Sequence, residues 1–274
     1  LNLFIIGYYK YTNFFLENIN IIFEKNNILE TIILPLGISY FTFQQITYLV
    51  DCFLGKVREH NLKRYFLYVS FFPQIVAGPI VRHEFMMPQI VNDLNKEFNI
   101  NYLNIGFTTF IIGLFKKVVI ADNLALYANP FFNFAESGFI LNFFDAWVGA
   151  LIYTFQIYFD FSGYTDMALG IGLMFGIVLP INFFSPFKAK NISEFWMCWH
   201  ITLSNLARNY IYFPLSIFFS RQAIKKNYGN YKKFFLNLAI PTLISFSLIG
   251  LWHGAAWNFI LFGVINGFYI IIYN

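Results

Sequence analysis

Charge is scarce in this chain of 274 residues, since only 12% of them are Asp, Glu, Lys or Arg while 58% are hydrophobic. That charged share is about half of what an ordinary soluble domain carries. A soluble protein of this length surrounds one or two cores with a charged shell, and too little charge is present to build one. Cysteine is scarce too, and Cys52 and Cys198 form neither a disulfide pattern nor a metal-binding pattern. These absences exclude a soluble globular protein and predict an apolar surface that faces lipid.

Long uncharged runs take the place of the missing charge. The stretches without Asp, Glu, Lys or Arg are residues 31–50, 98–115, 167–187 and 234–274. A helix needs ~20 apolar residues to cross ~30 Å of hydrocarbon, so the first three runs predict one span each and the last predicts two. Weaker candidates are residues 1–23, 65–81 and 139–159. We therefore expect seven to nine membrane segments, and helices rather than a barrel, because barrel strands alternate over only ~10 residues.

Proline and glycine interrupt several of these runs, at residues 35–37, 73 and 77–79. Broken helices at membrane depth are tolerated where they are buried in protein or line a cavity. We expect an all-α, polytopic transmembrane protein with re-entrant or interfacial helices around a funnel or tunnel. Because no hydrophilic stretch is long enough for an extramembrane domain, residues 1–274 are expected to form a single membrane domain. The first and last residues suggest a fragment that lacks both termini of the full-length protein.

Basic residues are concentrated between the apolar runs. Residues 221–233 contain five Lys or Arg and no acid, and residues 56–64 contain four with one acid. The positive-inside rule predicts that both segments are cytoplasmic. No basic patch lies on a soluble domain, so nucleic acid is not an expected partner.

His253 is the only histidine or charged side chain in residues 234–274. An ionisable residue inside a membrane segment is costly and is functional by default. A neutral imidazole can take a proton from a hydroxyl group as that oxygen attacks an acyl carbonyl. Gly254 and the two alanines that follow would let a substrate approach the backbone closely. A structural histidine with one hydrogen bond is the open alternative.

A second polar group follows residues 191–194, which have the form of a capping box and predict the start of a helix. Pro214 is expected to end that helix or the segment after it. On such a helix His200, Ser204 and Arg208 would share one face. His200 could bind, orient or relay protons, or it could only anchor an amphipathic helix at the membrane interface.

Carboxylates also occur in an apolar neighbourhood, where Gln156 and Asp160 share one helical face and Ser162 and Asp166 share another. The two acids could act in acid–base chemistry or form an ion path. They could also be structural partners of Lys and Arg.

Five stretches of the sequence resemble those of a known protein family. They are residues 35–55 (PLGISYFTFQQITYLVDCFLG), 71–82 (FFPQIVAGPIVR), 155–187 (FQIYFDFSGYTDMALGIGLMFGIVLPINFFSPF), 191–204 (NISEFWMCWHITLS) and 248–259 (LIGLWHGAAWNF). In these stretches the chain resembles the membrane-bound O-acyltransferase family, specifically its bacterial alginate O-acetyltransferase-like branch. The resemblance implies a catalytic histidine at His253 and a second characteristic histidine at His200. We assign substrate binding to Trp252, Trp199, Ser204, Arg208, Asp160 and Asn258. No metal is expected.

The resemblance also implies an activity and a location. Members of the family move acyl groups to hydroxyls, and this branch acetylates polysaccharides outside the cytoplasm. We expect no bound cofactor, acetyl-CoA as the cytoplasmic acyl donor, and an exported glycan as the acceptor. Membrane lipids and a separate periplasmic or surface acetyltransferase are the expected partners, and a multi-pass position in the bacterial cytoplasmic membrane is the expected location.

The chain departs from the family pattern at two places. Met197 and Cys198 stand where the family usually carries two arginines, and Arg208-Asn209 stands for its usual Arg-Asp pair. D-alanyl transfer to teichoic acid, a transporter and a non-enzymatic scaffold are the alternative functions.

Overall fold

The computed structural model describes residues 1–24, 32–57, 61–75, 78–92 and 97–274, and parts of the predicted segments 31–50, 56–64 and 65–81 lie outside these ranges. Its α-helices are, in chain order, α1 (Asn2–Ile6), α2 (Thr12–Phe23), α3 (Ile38–Phe53), α4 (Leu62–Ser70), α5 (Phe72–Ile75), α6 (His83–Val91), α7 (Ile100–Phe115), α8 (Asp122–Glu136), α9 (Phe143–Met174), α10 (Ile192–Cys198), α11 (Ile201–Ala207), α12 (Phe213–Lys225), α13 (Asn230–Phe234), α14 (Ile240–His253) and α15 (Trp257–Tyr273). Within the described ranges no β-strand occurs, which confirms the all-α prediction.

Two helices of the described chain are long and apolar enough to cross a membrane. They are Ile100–Glu136, with 37 residues, and Asn230–His253, with 24 residues. Trp257–Tyr273 is a shorter apolar helix. Most of the predicted run 98–115 lies in the first of these helices, and the run 234–274 is divided between the second and the shorter one. The count of seven to nine membrane segments stays a prediction.

The prediction of a separate span over residues 167–187 was wrong. Helix α9 covers 32 residues and ends at Met174, so only the start of this run is helical. The helix ends because Gly176 adopts a left-handed conformation, with φ of 76°. The Ile177 N–H then bonds to the Gly172 carbonyl at 2.9 Å. This pattern of a left-handed glycine with a returning hydrogen bond is a common helix terminator.

The chain divides into two compact units, one formed by Leu1–Glu59 with Phe183–Asn274 and the other by His60–Asn182. The single-domain prediction is untested and stays a prediction. In the second unit, α7 packs so closely on α9 that a Cβ added at Gly113 would lie 2.6 Å from the carbonyl oxygen of Gly163. Residues at this crossing must therefore be glycines, because any side chain would overlap backbone atoms.

In the first unit, α14 and α15 pair as an antiparallel hairpin because only residues 254–256 join them. A Cβ added at Gly250 would overlap the carbonyl oxygen of Phe259, so the two helices approach at backbone distance. Helix α10 packs against this hairpin through Trp196, whose ring centroid lies 5.2 Å from that of Phe246. The indole N–H of Trp196 donates to Asn266 Oδ1 at 3.3 Å. These contacts place α10 beside the α14–α15 hairpin, in which His253 is the last residue of α14.

Helical turns of the π type interrupt the helices of the described chain at Gly7–Tyr11, Lys116–Ala121, Arg208–Tyr212 and Phe235–Ala239. Such turns are rare in proteins, and those that do occur are often found at functional sites. The first three contain basic side chains that lie within otherwise apolar helical stretches, namely Lys10, Lys116, Lys117 and Arg208.

Candidate functional site

His253 lies at the C-terminal end of a membrane-length helix. It is the last residue of α14, its side chain is exposed, and Gly254 continues in an extended conformation with φ of −162°. The expectation that Gly254 leaves room for a substrate was wrong for the side of the residue where a Cβ atom would lie. A Cβ at Gly254 would overlap the ring of Phe259, so that aromatic side chain already fills the space.

Trp252 contacts both of the predicted histidines. Its ring centroid lies 5.9 Å from that of His200 and 4.8 Å from that of His253. Tyr40 and Phe43 of α3 contact the same indole, with centroid distances of 6.3 and 5.6 Å. The structure therefore brings together two histidines that are 53 positions apart in sequence.

The prediction of one continuous helix through His200 was wrong. Helix α10 ends at Cys198, and His200 adopts a left-handed conformation with φ of 44° before α11 begins. The Phe184 N–H donates to the Cys198 carbonyl at 2.9 Å, so the carbonyl that a continuous helix would use internally bonds elsewhere. His200 thus caps α11 instead of sharing one α-helix with the residues before it.

His200 is also almost completely buried, with 1% of its surface exposed. Burial lowers the pKa of the His200 imidazole from 6.5 to about 3, and the charge that His253 can carry makes a smaller contribution in the same direction. Loss of hydration disfavours the charged form of a buried base. His200 is therefore neutral at physiological pH and can accept or relay a proton without first losing one.

The predicted start of the helix at residues 191–194 is confirmed, whereas the prediction that Pro214 ends it was wrong. Asn191 Oδ1 accepts the Glu194 N–H at 2.8 Å, which confirms the cap. The Glu194 carboxylate accepts from the Lys190 N–H at 2.8 Å instead of returning to Asn191. The chain stays helical through Pro214 as far as Lys225. A π-helical turn directly before Pro214 rearranges the hydrogen bonds that the proline would otherwise break.

A cavity of about 280 Å³ lies beside this part of the chain, between α10–α11 and the α14–α15 hairpin. Ser204 and Arg208 both line it, whereas His200, which was predicted to share a face with them, does not. Ile249, one helical turn before His253, lines it from α14. Met197 also lines the cavity, so an apolar side chain lies where the resemblance implies an arginine.

Two other predicted binding residues have mainly structural contacts. The ring of Trp199 lies 5.1 Å from that of Phe183 and stacks on Phe195 at 5.7 Å. Asn258 is exposed in the first turn of α15, where its Oδ1 accepts the Phe259 N–H at 2.9 Å. Their assignment to substrate binding stays a prediction.

Asp160 belongs to the other unit, where it is paired with a lysine. Lys117 Nζ lies 2.7 Å from Asp160 Oδ1, and Lys116 Nζ lies 2.5 Å from Asp166 Oδ2. Of the alternatives for these acids, the structure confirms that they are partners of lysines. The substrate-binding role of Asp160 stays a prediction.

Lys10 and Tyr11 were not predicted to belong to the site. The ammonium group of Lys10 donates to the carbonyl oxygen of Trp252 and lies 5.4 Å from the centroid of its ring. The hydroxyl of Tyr11 donates to the Leu251 carbonyl at 3.1 Å. A sequence signal existed, because Lys10 is the only charged side chain among residues 1–16. An isolated cation in an apolar segment is a candidate for function.

The arrangement suits proton transfer at a hydroxyl group. An exposed imidazole and a buried neutral imidazole flank one indole ring, and the adjoining cavity carries an exposed arginine. A neutral imidazole can act as a general base, and a guanidinium group can bind a phosphate or a carboxylate.

Known proteins resemble this chain over nearly all its length. The sequence profile of MBOAT, the membrane-bound O-acyltransferase family, matches residues 36–274. A Helicobacter pylori protein named peptidoglycan O-acetyltransferase is 45% identical over 97% of this chain and 52% of its own length. A Pseudomonas putida protein named "Probable alginate O-acetylase AlgI" is 37% identical over 99% of this chain and 53% of its own length. A Bacillus subtilis protein named teichoic acid D-alanyltransferase is 30% identical over 87% of this chain and 58% of its own length. The chain thus spans about half the length of the relatives that it matches.

Proposed function

The chain belongs to the membrane-bound O-acyltransferase family, and we propose that it forms part of an enzyme that transfers acetyl groups to hydroxyls of an exported glycan. The observation that carries the proposal is His253, an exposed imidazole at the end of a membrane-length helix and next to the buried His200. The 45% identity to a protein named peptidoglycan O-acetyltransferase makes peptidoglycan our first choice of acceptor.

In the proposed reaction, His253 takes the proton of an acceptor hydroxyl as the hydroxyl oxygen bonds to the carbonyl carbon of an acetyl thioester. The carbon–sulfur bond then breaks, and the thiolate leaves with the proton that His253 received. The products are an acetyl ester and a thiol. His200, whose ring centroid lies 5.9 Å from that of Trp252, is close enough to bind or orient one of the reactants.

Access from both sides of the membrane is part of the proposal. The helix Asn230–His253 is ~36 Å long at ~1.5 Å per residue, which exceeds a hydrocarbon thickness of ~30 Å. Lys232 and Lys233 lie near its start and His253 is its last residue. With the basic end in the cytoplasm, His253 lies toward the outer side, where an exported glycan would approach. We also propose a multi-pass position in the bacterial cytoplasmic membrane.

We further propose acetyl-CoA as the donor and the cavity beside Ser204 and Arg208 as the place where part of it binds. The exposed guanidinium group of Arg208 supplies charge for a phosphate. The remaining expected partners are membrane lipids and a separate periplasmic or surface acetyltransferase that completes transfer to the glycan.

A second candidate is D-alanyl transfer, supported by the 30% identity to the protein named teichoic acid D-alanyltransferase. The same base and the same attack on an acyl carbonyl would serve, with a different acyl group and acceptor. The higher identities to proteins named as acetylating enzymes favour acetate.

The experiment measures ester-linked acetate and ester-linked D-alanine on envelope and secreted glycans. Cells carry the full-length wild type, His253→Ala, or the control His83→Gln, which removes a buried histidine outside the proposed site, all at equal membrane abundance. We expect peptidoglycan acetate to be lost in His253→Ala alone. Loss of D-alanine esters instead would replace the first candidate by the second. Unchanged esters of both kinds in His253→Ala would contradict an acyltransferase role and leave the transporter and scaffold alternatives.

A further inference from the structure

We propose that Lys10 is a positioning residue, which holds the carbonyl end of α14 and thereby fixes the place of the His253 imidazole. The inference rests on the proposed acyl transfer, since positioning of a base matters only if that base reacts. Nothing in the sequence motifs around His253 involves this lysine, which lies 243 positions earlier.

The contact is made where α14 most needs a partner. The last four carbonyls of a helix have no N–H partner within that helix. Lys10 donates to the carbonyl of Trp252, and Tyr11 donates to that of Leu251 at 3.1 Å. Two neighbouring side chains of one π-helical turn therefore satisfy the two consecutive carbonyls that directly precede His253.

The same N-terminal helical segment also holds the far side of the His253 loop. Asn18 Oδ1 accepts the indole N–H of Trp257 at 2.8 Å, and the ring of Phe14 lies 5.7 Å from that of Trp257. Lys10, Phe14 and Asn18 are four positions apart, so they share one face of the segment. The loop between α14 and α15 is thus attached at both of its ends. We call the four residues that make these contacts, Lys10, Tyr11, Phe14 and Asn18, the N-terminal clamp.

The charge of Lys10 is directed to this loop and not to an acid. Within the part of the chain that the structure describes, no carboxylate forms an ion pair with Lys10. Its ammonium group lies instead at the negative end of the α14 dipole and 5.4 Å from the Trp252 ring centroid. A cation is favoured at both places. A lysine in an otherwise uncharged stretch is costly, and this arrangement gives it a function next to the reacting imidazole.

The expected consequence is a loss of rate with little loss of substrate affinity. A shift of ~1 Å in a catalytic group can lower a rate ~100-fold. Lys10→Met keeps the length of the side chain and removes its charge and its hydrogen bond. We expect kcat to fall ~100-fold while KM for donor and acceptor changes less than about threefold. Lys10→Arg restores the donor and the charge, and we expect it to recover most of kcat.

The test uses the full-length protein in lipid nanodiscs, with acetyl transfer and hydrogen–deuterium exchange measured on the same samples. Lys225→Met is the matched control, because it removes an exposed lysine of the same unit without touching the clamp. We expect faster exchange of the amides of residues 252–254 in Lys10→Met, and wild-type exchange in Lys10→Arg and Lys225→Met. Tyr11→Phe should increase this exchange to a smaller extent.

The two readouts separate the two proposals. If exchange changes as expected but the wild type transfers no acyl group, the clamp holds and the proposed function fails. If the wild type is active and Lys10→Met keeps wild-type kcat, the positioning role is overturned whatever the exchange shows. A drop in kcat that Lys10→Arg does not recover, with unchanged exchange, also overturns it.

Discussion

The ion pair of Lys117 with Asp160 offers a test of whether Asp160 acts in structure or in catalysis. Lys117 Nζ lies 2.7 Å from Asp160 Oδ1, with 23% and 36% of the two side chains exposed. Lys117 also pairs with Asp122, whose side chain is 50% exposed. The lysine lies within the membrane-length helix Ile100–Glu136, where a lone carboxylate would have little water to replace its partner.

The perturbation is Lys117→Met, which leaves the carboxylate of Asp160 without a cation. Removing one partner of a buried pair costs about 3–5 kcal/mol. Because Asp160 is 36% exposed, we expect the lower end, about 3 kcal/mol. The double variant Lys117→Met/Asp160→Leu removes both charges of this pair and leaves only the half-exposed Asp122 without its lysine. Replacing both partners of a pair by apolar residues is often neutral. We therefore expect its free energy of unfolding to lie within about 1 kcal/mol of the wild type.

The assay is SDS-titration unfolding in mixed micelles, followed by acetyl transfer measured on the folded variants. A double variant as unstable as the sum of the two single variants would refute the reasoning, because no coupling would then exist between the side chains. A stable double variant that keeps acetyl transfer would show a structural role for Asp160. A stable double variant without acetyl transfer would support the substrate-binding role predicted from the sequence.

Three further predictions concern packing, pH and a buried carboxylate. Gly113→Leu should lower the free energy of unfolding by about 3 kcal/mol, measured by the same titration, because the new side chain meets the backbone at Gly163. The pKa of His200 falls from 6.5 to about 3 on folding, so its stabilising contribution is present above pH 6.5 and is lost as the pH falls toward 3. The stability of His200→Gln should therefore decline less than that of the wild type between pH 6.5 and 4.5 in micelle unfolding. Tyr210→Phe removes the hydroxyl that donates at 2.6 Å to Asp51, which is 1% exposed, and should cost about 2 kcal/mol, whereas a loss under 0.5 kcal/mol would contradict that.

Local signals in the sequence were sufficient for some of these features. The long continuous apolar runs predicted an all-helical chain, and the capping pattern placed the start of α10 at Ile192. The uncharged run 234–274 predicted two helical segments, and α14 and α15 both lie within it. Each of these depends on neighbouring residues, on helix periodicity or on the cost of charge in an apolar segment, and all three can be read from sequence.

Features that depend on distant contacts could not be predicted. The helix break at His200 depends on a hydrogen bond between Phe184 and Cys198, which takes a carbonyl that local propensity would give to a longer helix. The pairing of Lys117 with Asp160 joins residues on two helices. The contact of Lys10 with α14 spans 242 positions, and only the isolation of that lysine in an apolar stretch indicated a role.

The central claim is that His253 is the base of an acyl transfer, and one measurement tests it most directly. Purified full-length protein in lipid nanodiscs receives a donor with a radiolabelled acetyl thioester and a glycan acceptor, and the initial rate of ester formation is compared for wild type, His253→Gln and His83→Gln. A positioned general base contributes ~100- to ~10,000-fold to a rate. We predict a loss in that range for His253→Gln and a wild-type rate for His83→Gln. A His253→Gln rate within about threefold of the wild type, at equal folded protein, would contradict the account.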